Sequence, residues 1–375
     1  MTDGPMPDAA RQPPRQPRPT PRIALLTCRH HDHIDHASEG KLMQELVRQG
    51  AIVTLAAWDD VLTPVKDEDG PFAGEMVSAD VYVLRTTWDY WDSLDRFREF
   101  LNVFATDERD GGGLQNTPTT ALANLNKIYL QELQLGGVPI VPTLFVKRGG
   151  EPDAIAQARS NGWGAIVTKP AVGAAASGLE KFDRPDGDAL AALAALTRGN
   201  RLALLQPYLP RITTEGETSL VYFNNALSHA VTKVPAQGDF RSQVDFCGAY
   251  TLVEPTEQQQ DVAERALAAW EDRFGDKPLY ARVDLVPDHD GQPLLGELEL
   301  IEPELFLDMA DGAAETFASA ILARVEERQY TPEPWWHGRL MGIGCFLVAA
   351  TILVGFATGA GVIIAWIIDM LSGGP

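Results

Sequence analysis

The stretch 281–303, ARVDLVPDHDGQPLLGELELIEP, reads as two strands joined by a short polar turn. Side chains two residues apart in a strand point the same way, so Glu297 and Glu299 share one face. An even turn brings Asp284 to that face, opposite or diagonal to Glu297. Crowded carboxylates in an apolar hairpin repel one another, and a hard divalent cation relieves the repulsion. The hairpin therefore predicts a Mg²⁺ site, with a solvated edge hairpin as the alternative.

The charge of the chain limits its partners. Among 375 residues, 31 Lys and Arg stand against 52 Asp and Glu, a net charge of −21 at pH 7. No long basic run offsets the acids, so we expect no nucleic acid partner, whereas a cation and a cation-bound phosphate are compatible. The three cysteines are far apart and lack metal-ligand spacing, which indicates a reducing compartment.

The C-terminal segment is uniformly apolar. Residues 340–368 carry no charged side chain over 29 positions, more than the roughly 20 residues that cross a bilayer. We expect a transmembrane helix over 340–369 and a single-pass C-terminal anchor, with the folded part on the cytoplasmic face of the membrane. Gly355 and Gly359 form a GxxxG pair that permits a homodimer.

Strands and helices alternate in the N-terminal part of the chain. Apolar runs predict strands at 22–27, 51–57 and 81–84, and helical spacing predicts helices over 40–49 and after Ser93. This order indicates an α/β unit with a parallel sheet. Ligands of such sheets bind beyond the carboxyl ends of the strands, so the loops that follow the strands are candidate binding loops.

Two of these loops carry polar and aromatic residues. The first, CRHHDHIDHASEG at 28–40, matches no structural zinc pattern, so a zinc site, a solvated loop and a substrate-contacting loop all remain open. The second, RTTWDYW at 85–91, contains Arg85, Trp88 and Tyr90. It favours a substrate pocket in which Arg85 forks onto a carboxylate, with a capped helix start and aromatic packing as the alternative.

Two lysines and a run of small residues indicate a phosphate site. Lys127 lies in a helix predicted to begin at Thr120 and end at Gly136, and Lys169 ends an apolar strand just before AVGAAASG at 171–178. Small side chains let the backbone approach a polyphosphate while the ammonium groups counter its charge. Taken singly, each lysine is more often a surface charge and the loop a flexible connection.

Taken in order, these residues resemble the ATP-grasp superfamily of carboxylate–amine ligases over about 22–329. The resemblance implies an α/β (α+β) fold, with an N-terminal α/β pre-ATP-grasp domain before the ATP-grasp domain. It implies that Lys127 in NKIYL and Lys169 in VTKP hold the nucleotide phosphates. A lid of small residues, which includes Gly173, Ser177 and Gly178, covers them.

The same resemblance assigns the remaining nucleotide contacts. A hinge strand presents Gln206, Tyr208 and Leu209 to adenine, and Glu217 lies near the ribose. Arg241 is implied to steady the transferred phosphate and the acyl phosphate, and is therefore a catalytic residue together with Lys169.

The metal motif of the superfamily is an aspartate, then ExN and a proline. This chain has Asp284, Glu297, Glu299 and Pro303, so glutamate stands where asparagine is usual, and one or two Mg²⁺ ions are implied. The combination of RTTWDY, QPYLP, VPAQGDFRSQ and ELELIEP is similar to a branch that contains a cyclising ligase of cycloserine biosynthesis and glutathione-synthetase-like enzymes.

We therefore expect an ATP-dependent, membrane-anchored ligase that activates a small-molecule carboxylate as an acyl phosphate and joins it to an amine. No side-chain nucleophile is needed for this chemistry. A non-catalytic, membrane-tethered nucleotide-binding protein and a phosphotransferase are the alternatives. The expected organisation is a disordered Pro-rich tail at 1–21, the pre-ATP-grasp domain at 22–115, the ATP-grasp domain at 116–329, a juxtamembrane linker at 330–339 and the transmembrane helix at 340–369.

Overall fold

The computed structural model describes residues 19–28, 36–62, 78–106, 113–173, 177–236 and 248–330. Within these ranges the chain forms three β-sheets with helices packed on them, which confirms the predicted mixed α/β fold. Contacts group the described residues up to Val325 into one compact unit, and only residues 326–330 of a second unit are described.

The secondary structure elements follow one another in this order. The strands are β1 (Arg22–Thr27), β2 (Ile52–Ala57), β3 (Val81–Thr86), β4 (Leu114–Gln115), β5 (Leu144–Val146), β6 (Ile166–Pro170), β7 (Glu180–Phe182), β8 (Ala203–Pro207), β9 (Glu217–Phe223), β10 (Ala226–Val234), β11 (Ala249–Val253), β12 (Tyr280–Pro287) and β13 (Pro293–Glu299). The helices are α1 (His36–Arg48), α2 (Leu94–Ala105), α3 (Pro118–Asn124), α4 (Tyr129–Leu135), α5 (Glu151–Ser160), α6 (Gly187–Leu196), α7 (Ile212–Glu215), α8 (Glu257–Phe274) and α9 (Ala313–Tyr330).

The first sheet has the order β2-β1-β3-β4, and every neighbouring pair is parallel, as the alternation of strands and helices predicted. Phe97, Phe100 and Phe104 follow one another on α2 at spacings of three and four positions. Phe97 and Phe100 pack edge-on against Trp58, Phe97 stacks on Phe100, and Phe100 meets Phe104 edge-on. Burial of such large rings stabilises this layer.

The other two sheets are antiparallel and hold the residues of interest. The order of one is β5-β8-β6-β7, with α5 and α6 packed against it. The order of the other is β11-β10-β9-β12-β13. Val283 and Leu285 of β12 face a core formed with α4 and α8. By strand alternation, Arg282 and Asp284 point to the opposite face.

The region around Lys127 differs from its predicted structure. A single helix was expected from Thr120 to Gly136, but α3 begins earlier, capped by Thr117, and the chain leaves the helix before α4 starts. In the break, the Lys127 backbone N–H donates to the carbonyl of Ala171 at 2.8 Å instead of to a residue of its own helix. A tertiary hydrogen bond therefore overrides the local helical periodicity.

Several predictions concern residues outside the described ranges. These are Arg241, the tail at 1–18, most of the His-rich loop (29–35), the linker at 331–339 and the transmembrane helix at 340–369. Over the part of the chain that the structure describes, no helix combines the length and the apolar character that crossing a membrane requires. The predicted domain boundaries stay predictions.

Candidate active site

The predicted acidic hairpin forms as β12 and β13, and it brings two of its acids face to face. The strands are antiparallel, and Asp284 lies directly opposite Glu297. Beyond this pair the register shifts, so that Leu285 faces Leu295 and Gly296 has no opposite residue. This bulge sits beside the acids and bends the strand that carries them.

Arg282 neutralises two of the three predicted metal ligands. Its guanidinium forks onto Asp284, with Nε 3.0 Å from Oδ1 and Nη2 2.9 Å from Oδ2, and Nη2 also donates to Glu299. Its Nη1 donates to the carbonyl of Glu304 at 3.1 Å. Sequence reasoning missed Arg282. The signal that could have found it is its position two residues before Asp284, on the same strand face.

Lys233 is a second cation that sequence reasoning passed over. It is buried on β10, where its Nζ pairs with Glu217 and lies 3.6 Å from Oδ1 of Asp284. Ser219 also donates to Asp284. These cations and the hydroxyl hold the pKa of Asp284 far below its usual range even though burial alone would raise it. Glu217, predicted beside a ribose, here lies next to Lys233.

Glu297 forms ion pairs with both lysines that were predicted to hold phosphates. The Lys169 Nζ lies 2.8 Å from Oε1 of Glu297 and the Lys127 Nζ lies 3.6 Å from Oε2. Lys127 also donates to the carbonyl of Gly173 at 2.9 Å. Burial opposes ionisation, but Lys127 and Lys169 outweigh it and lower the pKa of Glu297 to about 2. Lysines 42 positions apart in the sequence thus converge on one carboxylate.

Glu302 is an acid that the sequence analysis did not consider. It is half-buried in the loop after β13, and within the described ranges it has no Lys, Arg or His at salt-bridge distance. Burial and then the charge of Glu299 raise the pKa of Glu302 to about 8. Burial, together with Asp284 and Glu297, raises the pKa of Glu299 to about 7 despite Arg282.

Trp88 and Tyr90, the predicted substrate residues, contact this same loop. The Trp88 indole N–H donates to the carbonyl of Glu302 at 3.0 Å, and interaction with the Tyr90 side chain lowers the pKa of the Glu302 carboxyl against the effect of burial. The aromatic loop at the carboxyl end of β3 therefore adjoins the acidic hairpin.

Arg85 differs from its neighbours in this loop. Its side chain is 2% exposed and pairs with Glu39 of α1 at 2.6 Å. Its guanidinium carbon lies 5.8 Å and 5.6 Å from the ring centres of Tyr280 and Phe317, and Nη1 donates to the carbonyl of Pro303. The guanidinium is thus enclosed and paired inside the protein, and the predicted contact with a substrate carboxylate stays a prediction.

The small-residue loop lies between Lys169 and β7. Its two glycines, Gly173 and Gly178, both have positive φ. Gly178 has φ of +71°, and a Cβ there would lie 3.3 Å from side-chain atoms of Leu196 and Pro170. Ser177 is exposed beside it. Residues 174–176 are outside the described ranges. The flanking residues leave no room for larger side chains at Gly178.

The predicted hinge residues lie at the end of β8 and directly after it. Gln206 and Leu209 are buried, and the ring of Tyr208 is covered by the ammonium group of Lys181 at 3.9 Å from its centre. The amide of Gln206 donates from Nε2 to Oγ1 of Thr143 at 2.8 Å. This segment joins the sheet that holds Lys169 to the sheet that holds the acids.

A divalent cation fits this set of donors. Within the described residues, no three His, Cys, Asp or Glu side chains are grouped to hold a metal ion by themselves. Asp284, Glu297 and Glu299 are paired with cations instead. Mg²⁺ in nucleotide sites uses one or two carboxylates and completes its shell with phosphates and water, so a cage of three acids is not required.

Two family models match the chain. The N-terminal domain of D-cycloserine synthetase DcsG matches residues 23–109, and the ATP-grasp domain of prokaryotic glutathione synthetase matches residues 129–273. The cycloserine biosynthesis protein DcsG of Streptomyces lavendulae is 34% identical over 214 residues, which cover 54% of this chain and 70% of DcsG.

Solved structures show the same likeness. The crystal structure of D-cycloserine synthetase DcsG has a TM-score of 0.69 at 26% identity and covers 81% of this chain and 99% of its own. The ATP-grasp ligase PsnB, complexed with a phosphomimetic variant of its minimal precursor, Mg and ADP, has a TM-score of 0.57 at 15% identity, with coverages of 81% and 98%. D-alanyl-alanine synthetase A from Vibrio cholerae has a TM-score of 0.58 at 16% identity, with coverages of 82% and 98%. The last two show the fold alone.

Proposed function

This chain belongs to the D-cycloserine synthetase family of ATP-grasp carboxylate–amine ligases, and on that premise we propose that it converts a small carboxylate to an acyl phosphate and joins it to an amine. The observation that carries the proposal is the convergence of Lys127 and Lys169 on Glu297, directly opposite Asp284. Cations and acids are brought together there at the edge of a buried hairpin, as a magnesium nucleotide requires.

The two lysines have a direct role in this proposal. When ATP binds, its phosphate oxygens replace Glu297 as the partners of both ammonium groups. Glu297 is then free to act with Asp284, and with Glu299 if a second ion is present, as ligands for one or two Mg²⁺. Bound Mg²⁺ would neutralise part of the negative charge on the phosphates.

Arg282 and Lys233 suit the transfer step. The substrate carboxylate attacks the γ-phosphorus, ADP leaves, and the amine then displaces phosphate from the acyl carbon. Positive groups held in a buried site stabilise the negative charge that moves during both steps. Arg282 and Lys233 lie on the Asp284 side of the site, and Arg241 is still proposed to steady the acyl phosphate.

The substrate lies, in this proposal, between the acidic hairpin and the aromatic loop. Trp88 and Tyr90 flank Glu302, whose carboxylate has no cationic partner in the described part of the protein. A substrate that carries an ammonium group supplies that partner. We therefore expect the activated carboxylate to belong to an amino acid or a close analogue.

The test is ATP-dependent ADP release in the presence of hydroxylamine, which traps an acyl phosphate as a hydroxamate. We expect hydroxamate from at least one compound in a panel of amino acids and simple carboxylates, dependent on Mg²⁺. Glu297→Gln should abolish it, and the matched control Glu99→Gln, on an exposed position of α2, should not. Nucleotide binding without ADP release or hydroxamate from any compound would contradict the ligase activity.

We also propose that the segment 340–369 anchors the enzyme to the cytoplasmic face of a membrane as a single-pass helix, on the strength of its 29 uncharged positions. Expression of the full chain followed by alkaline extraction of membranes tests this. The protein should stay with the membrane, and Leu347→Arg with Leu353→Arg should release it. Release of the unaltered chain from the membrane by alkali would contradict the anchor. A separate cross-linking experiment, with cysteine in place of Gly355 or Gly359, would test the homodimer.

A further inference from the structure

Gln206 on β8 is held by a short chain of hydrogen bonds. Its Nε2 donates to Oγ1 of Thr143 at 2.8 Å, and Oγ1 of Thr143 donates to the carbonyl of Val141 at 2.7 Å. Thr143 immediately precedes β5, whose first residue, Leu144, pairs with Leu205 of β8. The two side chains are therefore neighbours across adjacent strands.

The chemistry of the hydroxyl fixes the orientation of the amide. A threonine hydroxyl has a single proton, and a carbonyl oxygen can only accept, so the proton of Thr143 is committed to Val141. Toward Gln206 the hydroxyl presents lone pairs alone. Only the NH₂ end of the amide can face it, and the usual ambiguity between the nitrogen and oxygen of an amide is removed.

The acceptor of that proton is itself fixed. The Val141 N–H donates to the carbonyl of Leu295 at 3.0 Å, and the Leu295 N–H donates to the carbonyl of Pro139 at 2.8 Å. Leu295 lies on β13, two positions before Glu297. The segment that fixes the Gln206 amide is thus hydrogen-bonded to β13, the strand that carries Glu297.

We propose that Thr143 is a positioning residue that turns the Gln206 carbonyl oxygen toward the nucleotide base and so selects a 6-amino purine. This inference rests on the proposed function, and it takes the purine base to lie at the hinge formed by Gln206, Tyr208 and Leu209, as the resemblance to ATP-grasp ligases implies. The Oε1 of Gln206 accepts no hydrogen bond from the described residues, although the side chain is only 7% exposed. The 6-amino group of adenine donates to such an oxygen, whereas the 6-oxo group of hypoxanthine opposes it.

The test compares the binding of ATP and inosine triphosphate, which differ at position 6 of the purine, by calorimetry on the full chain with Mg²⁺ and no other substrate. The unaltered protein should prefer ATP. Thr143→Val keeps the shape but removes the hydroxyl, so the amide can turn over, and the preference should fall about tenfold. Thr143→Ser keeps the hydroxyl and should retain the preference. Thr143→Ala serves as a second variant if the valine protein does not fold.

A further variant separates orientation from simple bracing. In Gln206→Glu both side-chain oxygens are acceptors, so turning the group over changes nothing. Thr143→Val should then leave the ratio of the ATP and inosine triphosphate affinities unchanged in the Gln206→Glu background. An equal loss of preference in both backgrounds, or an unchanged ratio in Thr143→Val alone, would overturn the inference while leaving the ligase activity standing. Failure of the unaltered protein to bind either nucleotide would instead overturn the proposed function as well.

Discussion

Arg85 and Arg282 are both buried strand arginines that fork onto a carboxylate, yet the structure gives them different surroundings. Arg85 meets one acid, Glu39, and its side chain is 2% exposed. Arg282 is shared between two acids, Asp284 and Glu299, and its side chain is 10% exposed. Both guanidinium groups lie over aromatic rings, so packing on rings does not distinguish them.

The two arginines differ in what would happen to their acidic partners if the arginine turned toward a ligand. If Arg85 turned toward a ligand, Glu39 would remain buried and unpaired, at a cost of several kcal/mol. Arg282 stands among acids that other cations also reach, because Lys233 approaches Asp284. A charge that is shared in a network can be redistributed when an anion arrives, whereas an isolated buried pair cannot. We therefore expect Arg85 to stabilise the fold and Arg282 to be available for the chemistry.

Replacement of Arg85 by methionine should cause the largest change, a loss of about 3–5 kcal/mol in the free energy of unfolding, because Glu39 is left charged and buried. Urea denaturation measures it. The double variant Arg85→Met with Glu39→Met should recover most of the loss, since apolar residues of similar volume replace a buried pair well. Unchanged stability with a lower kcat/KM for the carboxylate would support the predicted substrate contact of Arg85 and reverse the comparison.

Arg282→Lys should lower kcat by about 10²–10³-fold, because lysine keeps the charge but loses the fork that aims it at the reacting groups. ADP release under saturating ATP measures the effect. Arg265→Lys is the matched control, since Arg265 forms an exposed pair with Asp261 on α8, and it should leave kcat unchanged. An equally active Arg282→Lys enzyme would mean that this arginine, too, is structural.

Glu302 lies between the aromatic loop that follows Arg85 and the hairpin that carries Arg282. Glu302→Gln should reduce the preference for an amino acid over its analogue without the amino group by about tenfold, because the charge-assisted hydrogen bond to an ammonium is lost. Paired hydroxamate assays with alanine and propionate, or with whichever amino acid is active, measure it. An equal reduction for both members of the pair would show that Glu302 does not contact the amino group.

A further expected effect is a pH dependence of stability without ligand. The pKa of Glu299 is raised to about 7 and that of Glu302 to about 8, from 4.5. Between these limits the folded state binds more protons than the unfolded state, so the stability from these groups is full below about pH 4.5 and declines up to about pH 8. Thermal unfolding across this range measures the decline, and Glu302→Gln should flatten its upper part. A stability that rises from pH 5 to 8 would show that the two acids are ionised in the folded protein.

Local periodicity was enough to predict much of the fold. The alternation of apolar residues placed the strands of the parallel sheet and the hairpin of β12 and β13. It put Asp284 opposite or diagonal to Glu297, and the structure shows the direct pair. The same reasoning was wrong about the helix around Lys127, where the backbone bonds to Ala171. That contact spans more than forty residues, and a local pattern carries no information about it.

The site was only partly accessible to sequence reasoning. Lys127, Lys169 and Glu297 were each identified, but nothing in the sequence showed that both lysines would contact the same carboxylate. Arg282 and Lys233 were missed because attention went to the acids of the hairpin, and the contacts of these two cations with Asp284 form only in the folded sheet. The pairing of Arg85 with Glu39 was not foreseen, because Glu39 lies 46 positions away, on α1.

By itself, the sequence determined the strand faces, the small-residue loop and the acids of the hairpin, because these depend on the repeat of the backbone and on the size of neighbouring side chains. Only the tertiary structure decided which cation meets which acid: Arg85 pairs with Glu39, whereas Arg282 is shared between Asp284 and Glu299. The physical reason is that the energy of a charge pair depends on distance and burial, and both are set by residues that the chain brings together from distant positions.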